Sequence, residues 1–99
     1  MLTLNEIKET VSRLVEDYPV RRVILIGSYA RGDATEKSDV DLIIDYGEQL
    51  SYWDFLGLVG HMVKKMPMQV DVLGLDEIKK PDMLHNIQQE GVIVYERTH

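Results

Sequence analysis

Apolar residues recur at helical spacing near the start of the chain. The stripe consists of Leu4, Ile7, Val11, Leu14 and Val15. Thr3 and Glu6 fit a capping box in front of this stripe. We therefore predict a first helix that runs to about Asp17 and ends before Pro19. The β-branched run from Arg22 to Ile26 is too short for a helix and too apolar for a surface strand, so it predicts a buried strand.

Apolar and acidic residues alternate from Asp39 to Asp45, which predicts a second strand with two unlike faces. One face carries Val40, Leu42 and Ile44, and the other carries Asp39, Asp41, Ile43 and Asp45. Asp45 lies at the end of the strand, close to Gly47, and we interpret it as a surface residue. The segment between the two strands, residues 28–38, is polar and predicts turns.

Helices and strands continue to alternate in the rest of the chain. Ser51 caps a predicted helix from Tyr52 to about Lys65. Its apolar face would consist of Tyr52, Phe55, Leu56, Val59, Met62, Val63 and Met66. The remaining predicted elements are a strand from Met68 to Leu73, a helical turn from Asp76 to Lys80, a helix from Pro81 to Glu90 closed by Gly91, and a strand from Val92 to Tyr95.

The elements therefore run in the order α-β-(turn)-β-α-β-α-β with short connections. Such an alternation predicts a single domain over residues 1–99, of the α/β (α+β) class. We expect one mixed β-sheet of about four strands, flanked by helices.

The charge balance limits the partners that this chain can bind. Acidic residues number 17 and basic residues 11, for a net charge of −6. A protein that holds nucleic acid through its phosphates needs a basic face, so we predict no direct nucleic-acid binding. The absence of cysteine and the wide spacing of His61, His85 and His99 argue against a zinc site. No apolar run is long enough to cross a membrane and no secretory signal is visible, so we expect a cytoplasmic protein.

Asp39 and Asp41 form the first candidate site. Two residues apart on a strand, they share one face about 6.6 Å apart along the chain. Both carboxylates can therefore converge on one cation, and Mg²⁺ prefers such oxygen ligands. Taken alone, a D-x-D triplet is as well explained by a solvated strand face.

Gly27 and Ser28 stand directly after the buried first strand and open a helical turn. Backbone N–H groups and a hydroxyl at the start of a helix form an anion site. By itself a Gly-Ser pair is merely a turn with a helix cap. Ten residues later the Asp39-Val40-Asp41 triplet follows, so a phosphate site and a metal site would adjoin. Asp71 adds a third acid in an apolar strand, where it would be costly if buried without a partner.

The stretch from Gly27 to Asp45, GSYARGDATEKSDVDLIID, closely resembles the signature of the DNA-polymerase-β-like nucleotidyltransferase superfamily. In length and motif the chain is similar to the minimal nucleotidyltransferase (MNT) family. The resemblance implies that Asp39 and Asp41 hold two Mg²⁺ ions and that Gly27 and Ser28 grip the β,γ-phosphates of a nucleoside triphosphate such as ATP. It implies that Asp71 ligates the second ion and acts as general base. Arg31 and Ser38 are further candidate phosphate contacts, although a solvated loop charge and a turn serine explain them equally well.

The MNT resemblance also implies an acceptor. Members of that family are typically antitoxins paired with a HEPN-domain ribonuclease toxin, to which they transfer AMP on a tyrosine. This chain would then work in a hetero-oligomer or as a homo-oligomer. Two alternatives stay open. One is a binding antitoxin that neutralises its partner by contact, through exposed aromatic residues at Tyr29, Tyr52, Trp53 and Tyr95. The other is a transferase for a small-molecule hydroxyl.

Overall fold

A computed structural model describes residues 1–97; Thr98 and His99 lie outside it, and with them one of the three histidines. The order of elements is α1 (Leu4–Val15), β1 (Arg22–Ile26), α2 (Ser28–Arg31), β2 (Val40–Asp45), α3 (Tyr52–Lys65), β3 (Val70–Gly74), a 3-10 turn (Leu75–Glu77), α4 (Pro81–Glu90) and β4 (Val92–Glu96). The predicted order is confirmed. The capping box of Thr3 and Glu6 is present as well.

The four strands form one mixed sheet, as predicted, and the structure gives their order as β3-β2-β1-β4. β1 pairs antiparallel with both β2 and β4, while β2 and β3 run parallel. In this register Asp41 stands opposite Ile26 of β1 and opposite Asp71 of β3. Asp41 therefore lies between Asp71 on β3 and the end of β1, where Ile26 precedes Gly27.

The two faces of the sheet are covered to different extents. Helices α1 and α3 pack on one face and build the main core, which includes Ile7, Val11, Val15, Leu25, Leu42, Ile44, Leu58 and Met62. Helix α4 lies on the opposite face over a small cluster of Ile24, Ile43, Ile78 and Ile87. The predicted alternation of β2 is thereby confirmed. The acidic residues lie on the face that α4 covers only partly.

The predicted apolar face of α3 is partly wrong. Phe55, Met62 and Met66 are buried, but Tyr52, Leu56 and Val63 are exposed, and Leu58 is fully buried instead. Apolar residues surround most of this helix, so their spacing does not single out one buried face. The packing of α3 on the sheet decides its orientation. No helix within residues 1–97 is long and apolar enough to span a membrane.

The interpretation of Asp45 as a surface residue is also wrong. Asp45 is buried, and its carboxylate accepts a 3.0 Å hydrogen bond from Arg22 Nε. The two residues stand opposite each other in the β1–β2 register. A charge at the end of an internal strand is buried when a neighbouring strand supplies its partner, and that pairing is set by strand order.

Candidate active site

Three aspartates lie near one another on the α4 side of the sheet. Asp41 and Asp71 are direct neighbours across the parallel β2–β3 pair, and Asp39 immediately precedes β2. Asp39 and Asp41 are half-buried, whereas Asp71 is exposed. Strand alternation places their side chains on one face. The structure thus brings together residues that are separated by up to 32 positions in the sequence.

The negative charge of these aspartates is compensated in part by Arg31, and their mutual repulsion still dominates at Asp41. Burial raises the pKa of Asp41 above its ordinary value, and the nearby carboxylates of Asp71 and Asp39 raise this pKa further, while Arg31 opposes the shift. A cation bound here would relieve the repulsion, and three carboxylates are a donor set suited to Mg²⁺.

Within residues 1–97, no three histidine, cysteine or acidic side chains lie close enough together to hold a metal ion as they stand. The structure instead has two adjacent carboxylates and a third nearby. In donor chemistry the residues fit a magnesium ion.

Gly27 connects the Ser28 turn to the group of three aspartates. It ends β1, caps α2 and has a φ of 79°, a conformation that L side chains rarely adopt. A β-carbon at position 27 would overlap Asp41 Oδ2. Only glycine therefore satisfies both the turn and the close approach to the carboxylate.

Ser28 begins a helix of a single turn. The Arg31 N–H donates to the Gly27 carbonyl at 3.0 Å, and Gly32 ends the turn with a φ of 84°. The first N–H groups of a helix have no acceptor within it. These N–H groups follow directly on Gly27, which lies against Asp41. Binding of phosphate by them stays a prediction.

The two additional phosphate-contact candidates differ in their surroundings. Arg31 is exposed, lies 3.4 Å from Asp33 and 3.7 Å from Glu90, and is close enough to Asp41 to lower its pKa. The Ser38 hydroxyl accepts a 2.9 Å hydrogen bond from the Thr35 N–H, so it stabilises a turn. A phosphate contact by either side chain stays a prediction.

Two cavities adjoin the acidic group, and sequence reasoning missed both. One of about 320 Å³ is lined by Asp41 and Asp71 together with apolar residues, among them Ile43, Leu73 and Met83. The other, of about 170 Å³, is lined by Gly27 and Arg31 and by residues of α4, including Asn86. Met83 borders both cavities. No sequence motif indicates Met83 or Asn86, because α4 reaches the site only through packing.

Comparison with known proteins agrees with this geometry. Residues 5–99 match the family described as Polymerase beta, Nucleotidyltransferase. A candidate protein adenylyltransferase of Methanocaldococcus jannaschii is 33% identical over 98 residues, which cover 95% of this chain and 100% of that protein. The protein adenylyltransferase MntA of Thermococcus cleftensis is 35% identical over 83 residues, which cover 80% of this chain and 84% of MntA.

A solved structure extends the likeness to the fold. It is the complex of a tri-AMPylated Shewanella oneidensis HEPN toxin with an MNT antitoxin. The match has a TM-score of 0.65 and 17% identity, and it covers 95% of this chain and 71% of that one. The chain belongs to the polymerase-β nucleotidyltransferase family and is a homologue of the MntA protein adenylyltransferases.

Proposed function

We propose that this nucleotidyltransferase uses Mg²⁺ and ATP to place AMP on a tyrosine hydroxyl of a HEPN-domain toxin, and thereby acts as its antitoxin. The close approach of Gly27 to Asp41, with Asp71 beside it, carries this proposal. In this proposal, the phosphate donors of the Ser28 turn and the cation site at Asp41 are direct neighbours. The name of the Thermococcus relative and the Shewanella toxin–antitoxin complex support the same chemistry.

The Ser28 turn and the aspartates would bind different parts of the Mg²⁺-bound triphosphate. N–H groups of the Ser28 turn bind the β,γ-phosphates, and Gly27 lets the backbone come close. Asp39 and Asp41 would hold two Mg²⁺ ions, with Asp71 as a further ligand of one. Bound magnesium neutralises charge that develops on phosphate oxygens during the transfer. Arg31 adds a positive charge at the same end of the site.

Asp71 is the general base in this proposal. Its carboxylate is exposed and borders the 320 Å³ cavity. A phenol in this cavity would give its proton to Asp71 as its oxygen attacks the α-phosphorus, and pyrophosphate would leave. The apolar walls formed by Ile43, Leu73 and Met83 suit an aromatic ring better than a charged acceptor.

Transfer of labelled AMP tests the proposal. The purified protein is incubated with Mg²⁺, ATP labelled at the α-phosphate and the HEPN-domain protein. We expect label on a tyrosine of the HEPN protein and loss of its ribonuclease activity. Both effects should disappear when Asp39→Asn is combined with Asp41→Asn. Neutralisation that survives this double substitution, with no label transferred, would refute the proposal.

A second candidate function, neutralisation by contact alone, is favoured by the outer side of α3. Trp53 is 79% exposed, and Tyr52, Leu56 and Val63 are exposed on the same helix. Large apolar side chains grouped on a surface often mark a protein contact. Tyr29 and Tyr95, which the sequence also suggested, are half-buried against the main core. If contact alone neutralises the toxin, Trp53→Ala should weaken the complex with the HEPN protein equally in the presence and in the absence of ATP.

A further inference from the structure

We propose that the acceptor segment binds as an added strand along the outer edge of β3, an inference that rests on the proposed function. β3 is the last strand of the sheet, and within residues 1–97 no strand pairs with its outer side. Edge strands present free N–H and C=O groups, and extended peptides bind to such edges through main-chain hydrogen bonds. The edge in question also carries the proposed general base, Asp71.

The register shows which backbone groups of β3 are free. Val40 N–H donates to the Gln69 carbonyl at 3.0 Å, and Val40 pairs with Val70. In a parallel ladder, alternate residues of a strand bond to the same neighbour. The backbone groups of Asp71 and Leu73 therefore face β2, and those of Val70 and Val72 face outward. An added strand would pair with these outward groups.

Pairing at this edge would position an acceptor side chain next to the base. A residue directly opposite Asp71 has its β-carbon about 4.5–5.5 Å from that of Asp71, on the same face of the sheet. That face is the one that borders the 320 Å³ cavity. A side chain in this position would thus enter the cavity beside Asp71, with no rearrangement of the sheet.

The same geometry selects a long side chain. The triphosphate is held from Gly27 and Asp41, and β2, which carries Asp41, lies a further strand spacing of about 4.8 Å inward from β3. A serine or threonine hydroxyl stays near its own backbone and would remain at the edge. A tyrosine hydroxyl reaches across to a diagonal neighbour. The edge location of Asp71 therefore favours tyrosine as acceptor.

Leu73 indicates a second contact. It is 41% exposed and lies two residues beyond Asp71 on the same face. In an added strand, the residue two positions from the tyrosine would lie beside Leu73. We expect an apolar residue at that position in the acceptor segment.

Peptide acceptors test this docking mode. The probe is a nine-residue synthetic peptide with the labelled tyrosine of the HEPN protein at its centre. Two versions carry N-methyl groups on alternate amides, so that one blocks the set of N–H groups that would face β3 and the other blocks the opposite set. We expect kcat/KM for AMP transfer to fall at least about tenfold for the version in which the N–H groups that would face β3 are blocked, because two backbone hydrogen bonds are lost. The other version should react like the unmodified peptide. Equal effects of the two versions would overturn the inference.

Substitution at Val72 supplies an independent measurement. Val72→Pro removes an outward N–H that β2 does not use, and Val72→Ala is the matched control that keeps it. For each variant, AMP transfer to the HEPN protein is divided by transfer to free N-acetyltyrosinamide, so that any general loss of activity cancels. We expect this ratio to be at least about tenfold lower in Val72→Pro than in Val72→Ala. Equal ratios would contradict strand addition.

The two proposals fail in different ways. Label on the HEPN protein together with equal N-methyl effects would overturn strand addition and leave nucleotidyl transfer intact. No label on any acceptor, including N-acetyltyrosinamide, would overturn both. Replacing the central tyrosine of the peptide by serine should abolish labelling, and efficient labelling of the serine peptide would refute the selection for length.

Discussion

Gly27 lies against the carboxylate of Asp41, so closely that a β-carbon at position 27 would overlap Asp41 Oδ2. The positive φ of Gly27 also requires glycine at this position, because L side chains rarely adopt that backbone conformation. Two independent constraints therefore coincide at one residue, where the turn proposed to bind phosphate meets the group of three aspartates. A substitution at Gly27 is therefore expected to disturb the Asp41 carboxylate of the proposed metal site as well.

Gly27→Ala should abolish most AMP transfer. The added methyl group displaces the Asp41 carboxylate, and the backbone strain costs about 1–3 kcal/mol of folding free energy. Urea unfolding and label transfer measure the two effects. Gly32→Ala is the matched control, because Gly32 has a similar φ of 84° but open space around its β-carbon position. It should lose less stability, because its ψ of 14° belongs to the left-handed region that other residues can adopt, whereas the ψ of −155° at Gly27 does not. It should also retain much more activity per folded molecule; equal activities would contradict the role of the contact.

Asp41→Asn should raise the melting temperature of the metal-free protein at neutral pH. The pKa of Asp41 is raised, so the folded state holds the proton more tightly than the unfolded state does. The stabilising contribution of this group is therefore complete below its ordinary pKa of 3.8 and is lost as the pH rises through the raised pKa. Solvent screens this partly exposed carboxylate, so removing its charge recovers at most about 1 kcal/mol, or at most about 4–8 °C.

Melting curves in a chelator at two pH values check this sign. The gain from Asp41→Asn should be present at pH 7 and should vanish near pH 3, where the wild-type carboxyl is protonated. A variant that melts at a lower temperature than the wild type at pH 7 would show that Asp41 supports the fold.

Asp45→Asn should have the opposite effect on stability. The change weakens the 3.0 Å contact with Arg22, and Asp45 is nearly buried, so we expect a loss of about 1–3 kcal/mol. Activity per folded molecule should persist, since Asp45 ends the strand at the far side from Asp41. Urea unfolding measures the loss. Glu9→Gln, which breaks an exposed 3.9 Å pair with Arg13, is the control and should cost less than about 1 kcal/mol.

Arg31→Ala should raise the KM for ATP about tenfold or more, because a charged hydrogen bond to phosphate contributes about 1.5–3 kcal/mol. Steady-state kinetics with varied ATP measure the effect, and Arg31→Lys should recover part of it. Asp33→Asn removes only the partner of Arg31 at 3.4 Å and serves as control. An unchanged KM for ATP in Arg31→Ala would show that Arg31 does not contact the triphosphate.

The local pattern of residues determined the elements and the chemistry of this protein. Periodicity identified the helices and strands, because a helix and a strand bury side chains at different intervals. Alternation in β2 placed Asp39 and Asp41 on a common face, and the Gly27-Ser28 pair marked a turn after a buried strand. These features depend on neighbours in the chain, so they could be predicted without knowledge of the packing.

Only the tertiary structure decided which distant residues meet. Strand order and register put Asp71 beside Asp41 and Arg22 beside Asp45, and they left β3 at the edge of the sheet. The packing of α4 brought Met83 to both cavities. Each of these relationships depends on how separate elements pack against one another. Packing is driven by the burial of apolar surface, which is a non-directional effect. The pattern of residues along the chain therefore does not predict which elements will meet. The sequence by itself therefore determined the reactive groups, and the fold decided their partners and their access to an acceptor.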